Sequence, residues 1–247
     1  MESTPMIITS RQNGYVSLAC KLGEKKHRQS EKMFRFDGVK LFCEAVQRGV
    51  ELSFVLVDQT LADSVNAKAK SLYALTLDDA NCRILYLSHD LFVKISDENA
   101  PEGIICVAKY IDKFQKNITI YNSADFLKLK NEQIVLLESV RDPSNIGAVI
   151  RSAAALGVDR LIISSDCADI YHPRAVRASM GTLFSQRIDR TEDLCSYIAR
   201  LKQDGRRVFA AALDSQACCL GRFEKFAGDC AVIGNEGHGL SQKVIEA

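Results

Sequence analysis

The clearest pattern in the chain is a strand, a turn, a helix and a second strand near the middle of the sequence. Ile134–Val140 is a continuous apolar run, which is typical of a strand buried on both faces of a sheet. Asp142–Asn145 interrupts this run and offers side-chain oxygens that cap helices. Ala148–Leu156 is rich in alanine and predicts that helix, and Val158–Ser164 predicts the second strand. We therefore expect a βαβ unit in a parallel sheet whose faces carry helices.

Two later apolar runs also end in polar residues. Val208–Leu213 is followed by an Asp-Ser pair, and Cys230–Ile233 is followed by the sequence G-N-E-G-H-G. The carboxyl ends of parallel strands lie at one edge of a sheet, where α/β proteins bind their ligands. The backbone N–H groups of the Asp142–Asn145 turn lie at the same edge and suit an anion. The pattern therefore predicts the chemistry of the protein at this edge.

The first half of the chain alternates shorter helices and strands. The predicted helices are Val39–Arg48, Leu61–Ala69 and Asp90–Ile95, and the predicted strands are Leu52–Val57, Arg83–Leu87 and Ile104–Ala108. Residues 109–130 mix charged and polar residues with few apolar pairs, which favours a domain boundary near residue 112. Two α/β domains, 1–112 and 113–247, are therefore expected. In the second, Thr191–Lys202 predicts an amphipathic helix, and a further helix is expected from Leu240.

A basic stretch lies between residues 11 and 35, which contain seven lysines and arginines but only two glutamates. Such side chains neutralise nucleic-acid phosphates. Composition alone favours a solvated helix face for them, by about two to one, so the stretch does not by itself establish a nucleic-acid partner. The seven residues are Arg11, Lys21, Lys25, Lys26, Arg28, Lys32 and Arg35.

Composition bounds the remaining possibilities. The 247 residues are 47% hydrophobic and 26% charged, and the net charge of +1 gives no global field that would attract nucleic acid. Nine cysteines without a CxxC pair or a Cys/His cluster predict reduced thiols in the cytoplasm and no metal site. Met1–Ser10 lacks the pattern of a signal peptide, and no apolar segment approaches the ~20 residues that span a bilayer.

Three groups of residues in the second half resemble the three motifs of the SpoU (TrmH-like) RNA 2′-O-ribose methyltransferases. The first group is D-P-x-N-x-G-x-x-x-R in Asp142–Arg151, and the second is R-A-S-M-G-T in Arg177–Thr182. The third is I-G-N-E-G-H-G-L-S in Ile233–Ser241. Their order and spacing make the resemblance specific, and it covers residues 131–247.

The first half is similar to the L30e-like substrate-binding domain that often precedes the SpoU domain. The similarity is carried by KLGEKKHRQSEKMFRFDG in residues 21–38 and by KISDENAPEGI in residues 94–104; Asp37 stands where the family usually has Glu. This similarity favours RNA binding by the basic stretch. The predicted RNA contacts are Lys21, Lys25, Lys26, Arg28, Arg35 and, from the second motif, Arg177.

The resemblance implies an α/β protein in which the L30e-like domain precedes a SPOUT-type parallel-sheet domain with a trefoil knot. It also implies S-adenosylmethionine as the methyl donor, a homodimer, and methylation of a ribose 2′-hydroxyl, in ribosomal RNA rather than tRNA. The implied catalytic residues are Asn145, Arg151 and Glu236. The implied cofactor-binding residues are Ala212, Leu213, Gly234, Asn235 and Gly237.

Each implied catalytic residue suits a distinct task. Arg151 offers a planar fork to a phosphate. Because guanidinium stays protonated in proteins, we expect it to clamp phosphate and stabilise a developing alkoxide rather than act as a base. Asn145 caps its helix and positions Arg151 or the ribose. Glu236 accepts a hydrogen bond from a ribose hydroxyl or holds Arg151. The glycines let backbone approach the adenosine.

Two other functions fit parts of the sequence. A dinucleotide-binding oxidoreductase is the weaker one, because no G-x-G-x-x-G follows a predicted strand. The stronger one is an RNA-binding module on a degenerate, inactive methyltransferase fold. The family continues past its third motif with an Ile-Pro-Met and a Ser-Leu-Asn segment that complete the cofactor pocket, whereas this sequence ends at Ala247. From this we expect a chain that ends at Ala247 to bind S-adenosylmethionine very weakly and not to methylate, while its N-terminal domain still binds RNA. Cofactor binding separates the two functions.

Overall fold

The computed structural model describes residues 6–111, 132–213, 217, 219, 224 and 226–247. These residues form two compact units. The first unit contains the described residues up to Ile111 together with Asp169–Ser185. The second unit contains Glu132–Ala168 and the described residues from Gln186 to Ala247.

The described residues contain ten strands and nine α-helices, numbered here along the chain. The strands are β1 (Ile7–Ile8), β2 (Met33–Asp37), β3 (Leu52–Asp58), β4 (Arg83–Leu87), β5 (Ile104–Lys109), β6 (Ile134–Leu137), β7 (Arg160–Ser164), β8 (Arg187–Thr191), β9 (Val208–Ala210) and β10 (Cys230–Ile233). The helices are α1 (Gly14–Lys21), α2 (Lys25–Glu31), α3 (Val39–Gln47), α4 (Ala62–Tyr73), α5 (His89–Ile95), α6 (Pro143–Ala155), α7 (Pro173–Ala178), α8 (Leu194–Gln203) and α9 (Gln242–Glu246).

The first unit is built on a mixed five-stranded sheet in the order β1-β4-β3-β5-β2. β1, β4 and β3 are parallel, whereas β5 runs antiparallel to both β3 and β2. Val16 of α1 and Phe92 of α5 are fully buried in one core cluster with Phe54 and Val107 of the sheet. α1 and α5 therefore cover the sheet through their apolar faces.

The segment Asp169–Ser185, which contains the second motif, folds with the first unit. Aromatic rings join it to β2 and to the end of β5: the centroids of Phe34 and Tyr171 are 4.8 Å apart, and those of Phe36 and Phe184 are 5.3 Å apart. Tyr110 stacks on Tyr171 at 4.0 Å. β2 was not predicted, because its buried phenylalanines alternate with charged residues inside the basic stretch.

The second unit is built on a sheet in the order β8-β7-β6-β10-β9, in which every pair is parallel. The predicted βαβ unit is confirmed as β6, α6 and β7. Leu136 and Ile162 of the sheet are fully buried with Leu201 of α8. The mixed α/β architecture with a parallel sheet, expected from the sequence, is therefore present.

Several predicted boundaries differ from the observed ones for local reasons. β6 ends at Leu137 instead of Val140, because Ser139 turns the chain with a φ of 56°. α6 starts at Pro143, before the alanine-rich stretch, because proline suits the first helical position. The predicted helix from Thr191 starts at Leu194, because Asp193 caps it, and Thr191 ends β8.

Two further observations concern membrane-spanning helices and disulfide bonds. No helix in the described part of the chain has the length and apolar character to cross a bilayer. The cysteines that the structure describes are all free thiols.

Candidate active site

The turn after β6 holds the start of α6 tightly. Asp142 caps the helix, since its Oδ1 accepts hydrogen bonds from the backbone N–H of Ser144 (2.7 Å) and of Asn145 (3.0 Å). The N–H of Ile146 donates to the carbonyl of Asp142. These donors are already bonded, so the expectation that they bind an anion is wrong. The turn instead fixes where the side chains of α6 begin.

The structure brings two of the three predicted catalytic residues into contact. Nδ2 of Asn145 donates to Oε1 of Glu236 at 2.7 Å, although the two residues are 91 positions apart. Both side chains are exposed, and the contact joins the turn after β6 to the turn after β10. Oδ1 of Asn145 and Oε2 of Glu236 form no hydrogen bond with any described residue. These oxygens are therefore available to a hydroxyl donor.

Arg151 lies on the exposed face of α6, six residues after Asn145. At a rise of about 1.5 Å per residue it sits roughly 9 Å further along the helix axis. Within the described part of the chain its guanidinium forms no ion pair or hydrogen bond, including with Asn145 or Glu236. A phosphate can therefore reach its planar fork without displacing a protein partner.

Asn235 is occupied by the turn it belongs to. Its Nδ2 donates to the carbonyl of Ser139 (2.8 Å), and its Oδ1 accepts from the N–H of Gly237 (2.8 Å) and of His238 (3.2 Å). Its backbone N–H and C=O both bond to Gly239. The polar groups of Asn235 therefore have partners within the described residues, and the residue shapes the turn; the cofactor contact predicted for Asn235 stays a prediction.

The two glycines predicted to bind the cofactor differ in the space that surrounds their Cα atoms. A Cβ on Gly234 would lie 2.3 Å from the carbonyl carbon of Gly239, so the turn itself demands glycine there. A Cβ on Gly237 would meet only Oδ1 of Asn235, at an ordinary 3.4 Å. The backbone of Gly237 is therefore the more open of the two toward a ligand.

The carboxyl ends of β9 and β10 expose apolar side chains. Leu213 is fully exposed and Ile233 is 39% exposed, whereas Ala212 packs against the core. An adenosine covers exposed apolar side chains of this kind, and an open glycine backbone allows its close approach. The residues at this edge, Leu213 and Gly237 above all, therefore fit S-adenosylmethionine.

The basic stretch divides into exposed and buried members. Lys21, Lys25 and Lys26 are exposed on α1 and α2. Arg28 is 1% exposed and Arg35 is 2% exposed, and their guanidinium groups donate to protein acceptors. The prediction that Arg28 and Arg35 contact RNA does not fit this burial, because a buried guanidinium cannot reach a phosphate.

Arg177, the RNA contact predicted from the second motif, pairs with an acid of its own unit. It lies at the end of α7 and forms an ion pair with Glu98; its side chain is 46% exposed. An exposed pair of this kind is weak, worth about 0–1 kcal/mol. RNA phosphate can therefore compete with Glu98 for it.

Sequence reasoning missed a polar cluster at the ends of β6 and β7. Oγ of Ser139 donates to Oδ2 of Asp166 (2.6 Å), and its N–H donates to Oγ of Ser164 (2.9 Å). Arg141 donates to the same Oδ2 at 3.2 Å. Burial raises the pKa of Asp166, but hydrogen bonds from Ser139, Ser164 and Arg141 outweigh it and lower the pKa below the ordinary value. Nothing in the sequence but polar residues after two strands indicates this cluster.

A second contact that the sequence does not indicate lies beside β10. The carboxylate of Glu138 accepts from the N–H of Ser241 (2.8 Å) and from its Oγ (2.6 Å). Together with Ser139, Arg141 and the turn after β10, these residues line a cavity of about 210 Å³. The edge where the sequence predicts chemistry thus contains a shaped depression with polar walls.

Comparison with known proteins identifies the family. Residues 132–247 match the SpoU rRNA Methylase family, and residues 13–106 match the MRM3-like substrate binding domain. The 23S rRNA (guanosine(2553)-2′-O)-methyltransferase RlmP of Bacillus subtilis is 27% identical, over 97% of this chain and 86% of its own. The 23S rRNA (uridine(2479)-2′-O)-methyltransferase of Streptomyces viridochromogenes is 28% identical, over 97% and 81%.

Solved structures share the fold. The SpoU methyltransferase AviRb from Streptomyces viridochromogenes, in complex with AdoMet, superposes with a TM-score of 0.75 at 24% identity, covering 95% of this chain and 86% of its own. The AdoMet-bound rRNA methyltransferase from Sinorhizobium meliloti superposes with a TM-score of 0.74 at 22% identity, covering 98% and 85%. The chain therefore belongs to the SpoU rRNA Methylase family, whose model matches residues 132–247, and it carries an MRM3-like substrate-binding domain, matched over residues 13–106, ahead of the SpoU domain.

Proposed function

We propose that this protein methylates a ribose 2′-hydroxyl of 23S ribosomal RNA, with Asn145, Glu236 and Arg151 as its reactive site. The observation that carries the proposal is the 2.7 Å contact between Asn145 of the first motif and Glu236 of the third. It supports the proposal because Oδ1 of Asn145 and Oε2 of Glu236, which have no hydrogen-bond partner among the described residues, lie at the carboxyl edge of a parallel sheet, where α/β proteins bind ligands.

The residues divide the work as follows. When bound, S-adenosylmethionine supplies an electrophilic methyl group. Leu213 and the backbone of Gly237 hold the adenosine through apolar contact and close approach. Glu236 accepts a hydrogen bond from the 2′-hydroxyl and would take up its proton as the methyl–sulfur bond breaks and the methyl–oxygen bond forms, and Asn145 holds that carboxylate in place. Positioning of this kind contributes several kcal/mol to a rate.

Arg151 binds the phosphate next to the target ribose. Its fork carries no protein partner among the described residues, so binding RNA does not first require an ion pair to break. The same positive charge stabilises negative charge that develops on the 2′-oxygen, a contribution of roughly 2.7–4 kcal/mol for one well-placed donor.

Ribosomal RNA is favoured as the substrate for two reasons. Both curated relatives named above are 23S rRNA 2′-O-methyltransferases by name. The MRM3-like domain, which we assign to residues 1–112 ahead of a methyltransferase domain 113–247, presents exposed lysines to RNA phosphate. A homodimer acting in the cytoplasm completes the proposal; light scattering on the purified chain tests the dimer.

Competition between RNAs tests the substrate. Purified chain is incubated with labelled S-adenosylmethionine and equal amounts of unmodified 23S rRNA and tRNA, and the label in each RNA is counted. We expect label in 23S rRNA with little in tRNA. Preferential labelling of tRNA would reject ribosomal RNA as the substrate. Absence of label in both RNAs, from a chain that binds S-adenosylmethionine in isothermal titration, would reject the methyltransferase proposal.

A further inference from the structure

Ser139 has an unusual backbone at the centre of the site. Its φ is 56°, in the left-handed region that residues with a side chain rarely adopt. All of its polar groups are bonded: the N–H to Ser164 (2.9 Å), the hydroxyl to Asp166 (2.6 Å) and the carbonyl to Nδ2 of Asn235 (2.8 Å). Backbone strain of this kind persists where the surroundings over-determine the conformation, and it concentrates at functional sites.

The bonds of Ser139 connect the ends of three neighbouring strands. Ser139 follows β6, Ser164 and Asp166 end β7 and its turn, and Asn235 follows β10. In the sheet, β6 lies between β7 and β10. Ser139 is therefore the point at which the two outer turns are fixed to the middle one.

This point controls both members of the Asn145–Glu236 pair. On one side, only two residues separate Ser139 from the cap that starts α6, and the second of them, Arg141, is held by Asp166 (3.2 Å). On the other side, Asn235 immediately precedes Glu236. A change in the conformation of Ser139 would therefore move both partners of the 2.7 Å contact.

We infer that Ser139, held by Asp166 and Asn235, is a positioning residue that aligns Asn145 and Glu236 for methyl transfer. The inference rests on the proposed function of that pair. Ser139 acts through its neighbours, since its own polar groups have protein partners. Its substitution should therefore slow the chemical step and leave the binding of RNA and S-adenosylmethionine nearly unchanged.

The first test separates the hydroxyl from the backbone. Ser139→Ala loses the bond to Asp166 and keeps a Cβ at a positive φ, whereas Ser139→Gly loses the same bond but adopts that φ without strain. We expect kcat to fall about ten- to a hundredfold in Ser139→Ala, with a smaller loss in Ser139→Gly and little change in KM in either. Ser196→Ala is the matched control, because its hydroxyl also donates to an aspartate at 2.6 Å, far along the sequence at the start of α8.

The second test addresses the carbonyl of Ser139. Asn235→Asp keeps an oxygen that accepts from Gly237 and His238, but loses the donor to Ser139. The inference requires kcat to fall in Asn235→Asp as it does in Ser139→Ala. Parental kcat in both variants, or a rise in KM without a change in kcat, would overturn it.

Hydrogen exchange tests the positioning without relying on catalysis. Amides in the peptide 138–151 should exchange faster in Ser139→Ala and Asn235→Asp than in the parent, and at the parental rate in Ser196→Ala. If the parent transfers no methyl group, the proposed function fails while this comparison still decides the positioning role. Unchanged exchange in both site variants would reject that role even for an active enzyme.

Discussion

Replacement of Arg28 by alanine should unfold the first unit more easily, rather than weaken RNA binding. The guanidinium is 1% exposed and donates four hydrogen bonds: two to Oδ2 of Asp169 (3.0 and 2.8 Å), one to the carbonyl of Leu22 (2.8 Å) and one to that of Gly23 (2.7 Å). These bonds join α1 and α2 to the segment that carries the second motif.

The size of the effect follows from what alanine leaves behind. Removing one partner of a buried ion pair costs about 3–5 kcal/mol, because the other charge and its neighbours stay buried without partners. The side chain of Asp169 is 14% exposed, so water reaches part of the carboxylate and the lower end of that range applies. We expect the free energy of unfolding to fall by about 3 kcal/mol. Arg28→Lys should recover only part of it, since an ammonium cannot replace the planar fork.

Urea denaturation followed by far-UV circular dichroism measures this change, with Lys26→Ala as the control. An exposed lysine should shift the free energy of unfolding by no more than about 0.5 kcal/mol. The reasoning is refuted if Arg28→Ala unfolds like the parent and instead reduces the salt dependence of RNA binding by about one unit of slope, as a phosphate contact would.

Substitutions at three positions, Arg151, Lys26 and Asp58, test separate parts of the account. Arg151→Ala and Arg151→Lys should each lower kcat/KM by about a hundredfold or more with unfolding unchanged; parental turnover in either would remove Arg151 from the site. Lys26→Ala should reduce the slope of log affinity for RNA against log salt by about one; an unchanged slope would make it a solvated surface residue. Burial raises the pKa of Asp58, but hydrogen bonds from His89 and Thr60 outweigh it and lower the pKa. The ionised Asp58 therefore stabilises the fold above its unfolded pKa of about 4, and this contribution is lost as pH falls through the lowered value. Asp58→Asn should accordingly be less stable than the parent at neutral pH and converge with it in acid; a pH-independent difference would contradict the ionic role.

The fold of the second unit was predictable where apolar runs are continuous. β6 and β7 are buried on both faces, and their continuous apolar residues predict strands directly. β8 was missed because its sequence, R-I-D-R-T, has a single apolar residue. Asp189 is buried there and pairs with Arg160 of the neighbouring strand. A strand whose stability depends on such a cross-strand pair cannot be recognised from its own residues.

The site was predictable in its residues but not in its contacts. The motifs placed Asn145 and Glu236 at one edge, yet their hydrogen bond depends on the register of β6 against β10. Composition also could not separate the buried Arg28 from the exposed Lys26, because burial depends on carbonyls and an aspartate that meet only in the fold. The role of Ser139 was not predicted for the same reason, because its hydrogen-bond partners lie at the ends of other strands.

The position of the transferred methyl group tests the central claim most directly. Ribosomal RNA is methylated by the chain with labelled S-adenosylmethionine, digested to nucleosides and separated, and a second portion is hydrolysed with alkali. The account predicts label on the ribose of one nucleoside and in an alkali-resistant dinucleotide, because a methylated 2′-oxygen cannot attack the adjoining phosphate, and it predicts loss of both signals in Arg151→Ala. Label on a base, or ribose label that persists in Arg151→Ala, would contradict it.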